Sequence, residues 1–127
     1  MIAVIRIHGR VGLRKEIEET LTRLRIRKKF NCVFIKEEDK VRMGMVKKVK
    51  DYVMYGEVSE ELVQKVIEKR GELKDKSKKI KKTIENIKPW IRLHPPRGGF
   101  KKSTKLPYPK GILGYNKEIS KYLERMI

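Results

Sequence analysis

Ile2-Ala3-Val4-Ile5-Arg6-Ile7-His8-Gly9-Arg10-Val11-Gly12 decides how the rest of the chain is read. Ala3, Ile5 and Ile7 fall on one side of an alternating run, and Ile2, Val4 and Arg6 on the other, which is the period of a β-strand. The glycines at 9 and 12 punctuate a turn. Leu13, Ile17, Leu21 and Leu24 then recur at helical spacing, with Glu16, Glu18 and Glu19 early, where the helix dipole favours acids, and Arg23 and Arg25 late.

The pattern repeats downstream. Arg27-Lys28-Lys29 is a basic connector, and Cys32-Val33-Phe34-Ile35 is apolar on both sides, as in a strand covered on both faces. Lys36 to Lys40 reads as a charged loop. Met45, Val46 and Val49 mark a second amphipathic helix ending near Asp51, and Tyr52 to Val58 a third strand. Ser59 is a candidate N-cap for a third helix carrying Glu60, Glu61, Leu62, Val63, Val66 and Ile67, with Gly71 as its stop. The expectation is an α+β fold: a small βαβαβ core over residues 1–58, with one sheet and helices on one face. Residues 59–127 add a helix, a basic segment and a C-terminal extension that pack on the core and reach the ligand. Val4, Cys32 or Phe34 must lie on the other face of the sheet, which therefore needs a cover, and the C-terminal third is the candidate.

That third is irregular. Lys74 to Ile87 reads as either a short basic helix or a linker, and Trp90-Ile91-Arg92-Leu93 as a short strand. Prolines and glycines in His94-Pro95-Pro96-Arg97-Gly98-Gly99-Phe100 fix turns. Lys101 to Gly114 continues as an extended arm. Asn116 can cap a last helix with Ile119, Tyr122, Leu123 and Met126 on one side.

Charge narrows the function. The 127 residues hold 34 Lys+Arg against 16 Asp+Glu, a formal net charge of +18, which calls for a polyanionic partner. The excess is uneven. Residues 74–110 carry 13 basic and 2 acidic side chains, a net of +11 in 37 residues. A solvated face mixes signs, whereas this one does not. Residues 23–29 hold five cations with no acid between them. The turn at His8, Gly9 and Arg10 lies before a helix N-terminus, suited to a phosphate contact, but it lacks the spacing of a nucleotide-binding fingerprint. Arg97 can fork onto a phosphate, and Phe100 either stacks on an unpaired base or packs on the sheet.

Other classes fall away. A single cysteine forms no internal disulfide, and Cys32, His8 and His94 are too few for a structural zinc site, so neither metal nor cofactor is expected. The apolar runs are too short for a membrane span, and Arg6 interrupts the N-terminal one, so neither a signal peptide nor a membrane partner is expected. The histidines have no Ser or Cys signature around them, which argues against an enzyme and a small-molecule substrate. Glu37-Glu38-Asp39 reads as a solvated cluster.

Taken together, Ile5-Arg6-Ile7-His8-Gly9-Arg10-Val11-Gly12, Ile17-Glu18-Glu19-Thr20-Leu21, Asn31-Cys32-Val33, Gly44 to Val53, Tyr55-Gly56-Glu57 and Arg92 to Phe100 resemble, in order, the archaeal type of the large-subunit ribosomal protein L-thirty family. That family usually has Arg-Gly-Met entering its second helix. Here Met43 precedes Gly44-Met45, and Arg42 stands one position earlier. The resemblance implies a three-stranded antiparallel sheet with two helices, a structural, non-enzymatic role binding large-subunit rRNA beside neighbouring subunit proteins, and a cytoplasmic place in the large subunit. A free-standing RNA-binding or ribosome-biogenesis factor is the alternative. The residues expected to meet RNA are His8, Arg10, Arg14, Lys15, Arg23, Arg25, Arg27, Lys28, Lys29, Asn31, Arg42, Lys47, Lys48, Arg92, His94, Arg97, Gly98, Gly99, Phe100, Lys101 and Lys102.

Overall fold

In the computed structural model, residues 1–9, 13–71, 90–97, 99–100, 103–108 and 110–127 are described. The segment Lys74 to Ile87 lies outside them. The elements run β1 (Ile2–Arg6), α1 (Lys15–Arg23), β2 (Asn31–Ile35), α2 (Lys40–Lys48), β3 (Val53–Glu57), α3 (Glu60–Arg70), β4 (Ile91–Arg92), β5 (Ser103–Pro107), β6 (Gly111–Tyr115) and α4 (Ile119–Met126).

β1 is the central strand and is buried throughout. It pairs antiparallel with β2, Val4 opposite Val33, and with β3, Val4 opposite Tyr55. The sheet is wider than three antiparallel strands. β4 joins the outside of β2, β6 joins β3 in parallel, and β5 lies beyond β6. The result is an α+β fold on a mixed sheet. The segment read as an extended arm thus contains two strands. Its prolines and glycines hid them, because Pro107 ends one and Gly114, at φ 77°, sits inside the other.

The helices do not share one face. Ile2, Val4, Val33, Ile35 and Val53 pack with Leu21, Leu24, Val46 and Val49, so α1 and α2 cover one side. Ala3, Ile5, Cys32 and Met54 pack with Leu62, Val66, Ile67, Ile119, Leu123 and Met126, so α3 and α4 cover the other. A strand apolar on both sides requires this arrangement, because each face must lose its water.

Local signals explain the element ends. The Ser59 hydroxyl accepts the Leu62 N–H at 3.3 Å, and the Gly71 N–H closes α3 on the Ile67 carbonyl. Asp39 caps α2 by accepting the Arg42 N–H at 3.1 Å. Asn116 is fully buried just before α4. Its Oδ1 accepts the Glu118 N–H at 2.8 Å and its Nδ2 donates to the Ile112 carbonyl, so it ties β6 to the helix.

Candidate nucleic-acid interface

The connector between α1 and β2 is the best-defined basic element. α1 closes with the Arg25 N–H on the Thr22 carbonyl and the Ile26 N–H on the Leu21 carbonyl. This pattern puts the intervening residue in the left-handed region, where glycine is usual. Here that residue is Arg25, at φ 69°. Leu24 and Ile26 are buried, whereas Arg23, Arg25, Arg27, Lys28 and Lys29 are exposed. The alternation thus drives apolar anchors inward and leaves five cations in water. Phe30, at φ 66°, is a second left-handed residue, and the Lys29 ammonium stands 5.1 Å from its ring.

This shape is held from beneath by Arg6, which is 1% exposed. Its Nε donates to the His8 carbonyl at 2.8 Å, and its Nη1 donates to the carbonyls of Ile26 (3.0 Å) and Arg27 (2.8 Å). Its own carbonyl accepts the Phe30 N–H at 2.7 Å. Burying a guanidinium is costly unless its donors are met, and here backbone oxygens meet those of Nε and Nη1. One residue therefore fixes the β1–α1 turn and, with its side chain at Ile26 and Arg27 and its main-chain carbonyl at Phe30, both ends of the connector. Arg6 is absent from the residues that the sequence offers as candidates. The available signal was a lone cation on an otherwise apolar strand side.

The extension meets the connector. β4 places Arg92 opposite Asn31, and the Leu93 N–H donates to the Phe30 carbonyl at 3.2 Å. His94 and Arg97 donate their backbone N–H groups to the carbonyls of Met126 and Arg125, which occupies acceptors that the end of α4 leaves open. Arg92, His94, Arg97 and Gly99 are exposed, Gly99 at φ 71°. The Phe100 ring lies 6.3 Å from Phe30 and 5.4 Å from Tyr122, so protein rings occupy it and only its remaining exposed side is left for a base. Asn31 is 5% exposed, which leaves it a framework residue rather than an outward side chain. Arg125, half-buried with its guanidinium 5.1 Å from the Tyr122 ring, borders the extension; no sequence signal separates it from an ordinary helical cation.

The remaining candidates are spread out. His8 is half-buried with its ring 6.1 Å from Tyr52. Arg14 and Lys15 are exposed at the start of α1, about 13 Å along the helix from the connector. Arg42 is exposed in the first turn of α2, with its Nε 3.4 Å from Asp39 Oδ2, and Lys47 and Lys48 are exposed in the last turn. Arg10, Gly98, Lys101 and Lys102 lie outside the described residues.

The chemistry present is that of cations and backbone. Among the described residues, no group of three His, Cys, Asp or Glu side chains is placed to hold a metal. Burial pushes the Cys32 thiol up to about 12, which keeps it protonated. No helix among them is long and apolar enough to cross a membrane.

Residues 2–53 match the family model described as ribosomal protein L30p/L7e. Over the whole length, the chain is similar to the large ribosomal subunit protein uL30 of Archaeoglobus fulgidus, 37% identical with 99% of each chain covered. It is also 37% identical to the protein of that name from Staphylothermus marinus, covering 100% of this chain and 98% of the relative. Against the Methanopyrus kandleri protein the identity is 35%, covering 95% and 100%.

Proposed function

Because the chain belongs to the ribosomal protein L30p/L7e family, we propose that it is a structural constituent of the large ribosomal subunit, binding large-subunit rRNA in the cytoplasm and performing no catalysis. The observation that carries the mechanism is the connector: five exposed cations in seven residues on a backbone pinned by the buried Arg6. Cations held in fixed positions neutralise closely spaced phosphates without an ordering cost at binding. The exposed cations of the extension, Arg92 and Arg97, continue that surface, and Arg14, Lys15, Arg42, Lys47 and Lys48 contact phosphates farther out. In this reading residues 1–58 are the anchor, and 59–127 pack on it and carry the second basic region to RNA and to neighbouring subunit proteins.

Phosphate neutralisation releases counterions, so affinity falls steeply with salt, by a log–log slope of roughly 0.7–0.9 per phosphate contacted. Binding of the protein to in vitro transcribed archaeal large-subunit rRNA is expected to show a slope of at least about 3 in magnitude. A flat salt response contradicts the mechanism. Sedimentation addresses the role: a constituent co-migrates stoichiometrically with large subunits after a high-salt wash, whereas an assembly factor is released.

A further inference from the structure

The C-terminal end of α1, the first turn of α2 and the outer half of β2 enclose a shallow groove of about 130 Å³. Arg23, Arg25 and Arg42 line it, over a floor made by Leu24 and residues 33–35. Among the described residues, β4 pairs with Asn31 and Cys32, and the groove lies along the next three residues of β2.

Two features of the groove are unfavourable in the free protein. Three guanidiniums share it, and the neighbouring carboxylate, Asp39, stands 3.4 Å from Arg42 Nε and leaves the other two arginines uncompensated by it. Arg25 also occupies the helix-ending left-handed position, which disfavours any side chain with a Cβ and suits glycine. Strain maintained at a polar surface position is accounted for when the side chain is needed there.

We infer that the groove is a phosphate site that seats one phosphodiester of the RNA backbone, and that Arg25 is kept at its strained position to supply one of the forks. This rests on the RNA-binding reading and adds a place and a residue to it. The chemistry favours phosphate. Its tetrahedral oxygens accept from several guanidiniums approaching from different directions, and Arg forks bind it bidentately.

The test uses the full chain with Arg25→Gly and Arg25→Asn, both tolerant of the left-handed backbone, and Lys65→Gln as a control that removes an exposed charge from α3, on the opposite side of the sheet. Arg25→Gly is expected to unfold about 2–4 °C higher than the parent, because the strain is gone. Both Arg25 variants are expected to bind in vitro transcribed large-subunit rRNA about tenfold more weakly, with a salt slope smaller by about 1. Lys65→Gln is expected to keep the parent slope. Parent affinity and slope in Arg25→Gly, or an equal loss in Lys65→Gln, overturn the site while leaving the RNA-binding reading intact. Absence of salt-dependent binding by the parent overturns that reading and the site with it. Inorganic phosphate alone is expected to shift the Nε resonances of the three arginines only at millimolar concentration, because a lone ion lacks the linked contacts of a chain. Saturation at micromolar phosphate, with RNA affinity indifferent to Arg25, assigns the groove to the free ion and overturns the proposal.

Discussion

Two basic loops meet at Phe30, and they are braced by different physics. The connector, residues 24–30, rests on a buried cation: Arg6 donates to three carbonyls on two segments and accepts from Phe30 through its own backbone. The start of the extension, residues 93–100, rests on backbone bonds to the end of α4 and on the Phe100 ring between Phe30 and Tyr122. A polar brace is directional and fails when its donor is removed, because the Ile26 carbonyl it served stays buried. An apolar brace yields by degrees, because neighbouring side chains relax into part of the space. The connector should therefore respond to mutation as a unit, and the extension gradually.

The sharpest way to break the comparison is Arg6→Met, which keeps volume and removes the donors. It is expected to cost about 3 kcal/mol in urea unfolding, from carbonyls left unmet around the connector. It should also lower RNA affinity, because the Ile26 and Arg27 backbone that carries the connector's cations is then no longer held. Arg6→Lys should recover only a minority of the loss, since an ammonium cannot span the His8, Ile26 and Arg27 carbonyls as a planar fork does. Near-parent stability in Arg6→Met contradicts the polar brace.

Gly56→Ala comes next and acts on the extension's side. A Cβ there lies 2.5 Å from the Asn116 carbonyl oxygen and 2.9 Å from Ile119 Cγ2, so the β6–α4 junction must move. The expected cost is about 2 kcal/mol. Because α4 holds His94 and Arg97, RNA affinity should fall, but less than in Arg6→Met. A neutral variant shows that the junction yields freely and that α4 is not the extension's anchor.

Residues 1–71 were largely legible, because their signals are local. Alternation in Ile2–Ile7 assigned both faces of β1 correctly, and Ser59 with Gly71 bounded α3. What escaped depends on distant partners. β6 pairs in parallel with β3, more than fifty residues earlier, and nothing within Gly111–Tyr115 announces that neighbour. The two-sided helix cover was half visible: an apolar second face demanded a layer, yet nothing local assigned α1 with α2 to one side and α3 with α4 to the other. At the interface the cations were legible by type, whereas their brace was not. In the sequence Arg6 only interrupts an apolar run, because burial of a cation depends on carbonyls twenty residues away.

Phe100→Leu tests the gradual side, at an expected cost of about 1 kcal/mol, since an apolar side chain refills part of the ring's place. Its more specific readout is Cys32, which pairs with Ile91 of β4 and whose thiol burial pushes up to about 12. At pH 8 the native thiol is protonated and covered, so alkylation reports opening of this edge. Labelling in Phe100→Leu should be faster than in the parent at unchanged connector geometry. Unchanged labelling shows that Phe100 does not hold β4 down. The same group fixes the sign of an alkaline response: its folded value lies above its ordinary value of 9.0, so the unfolded chain loses this proton first and the contribution to stability declines as pH rises from about 9 toward 12.

The smallest effect should have the opposite sign, at a position belonging to neither brace. Gly44 lies inside α2, where an added Cβ meets nothing within 4 Å. Glycine in a helix interior costs about 0.5–1 kcal/mol relative to alanine through backbone entropy, so Gly44→Ala should stabilise by that amount. Because α2 sits across the sheet from β4's apolar cover, and the His8, Ile26 and Arg27 carbonyls bound by Arg6 lie outside it, the gain should leave Cys32 labelling below the global unfolding limit unchanged. A slower labelling rate here means that the extension's edge opens only with the whole molecule. The distinction between a unitary connector and a gradually yielding extension then collapses into one cooperative unit.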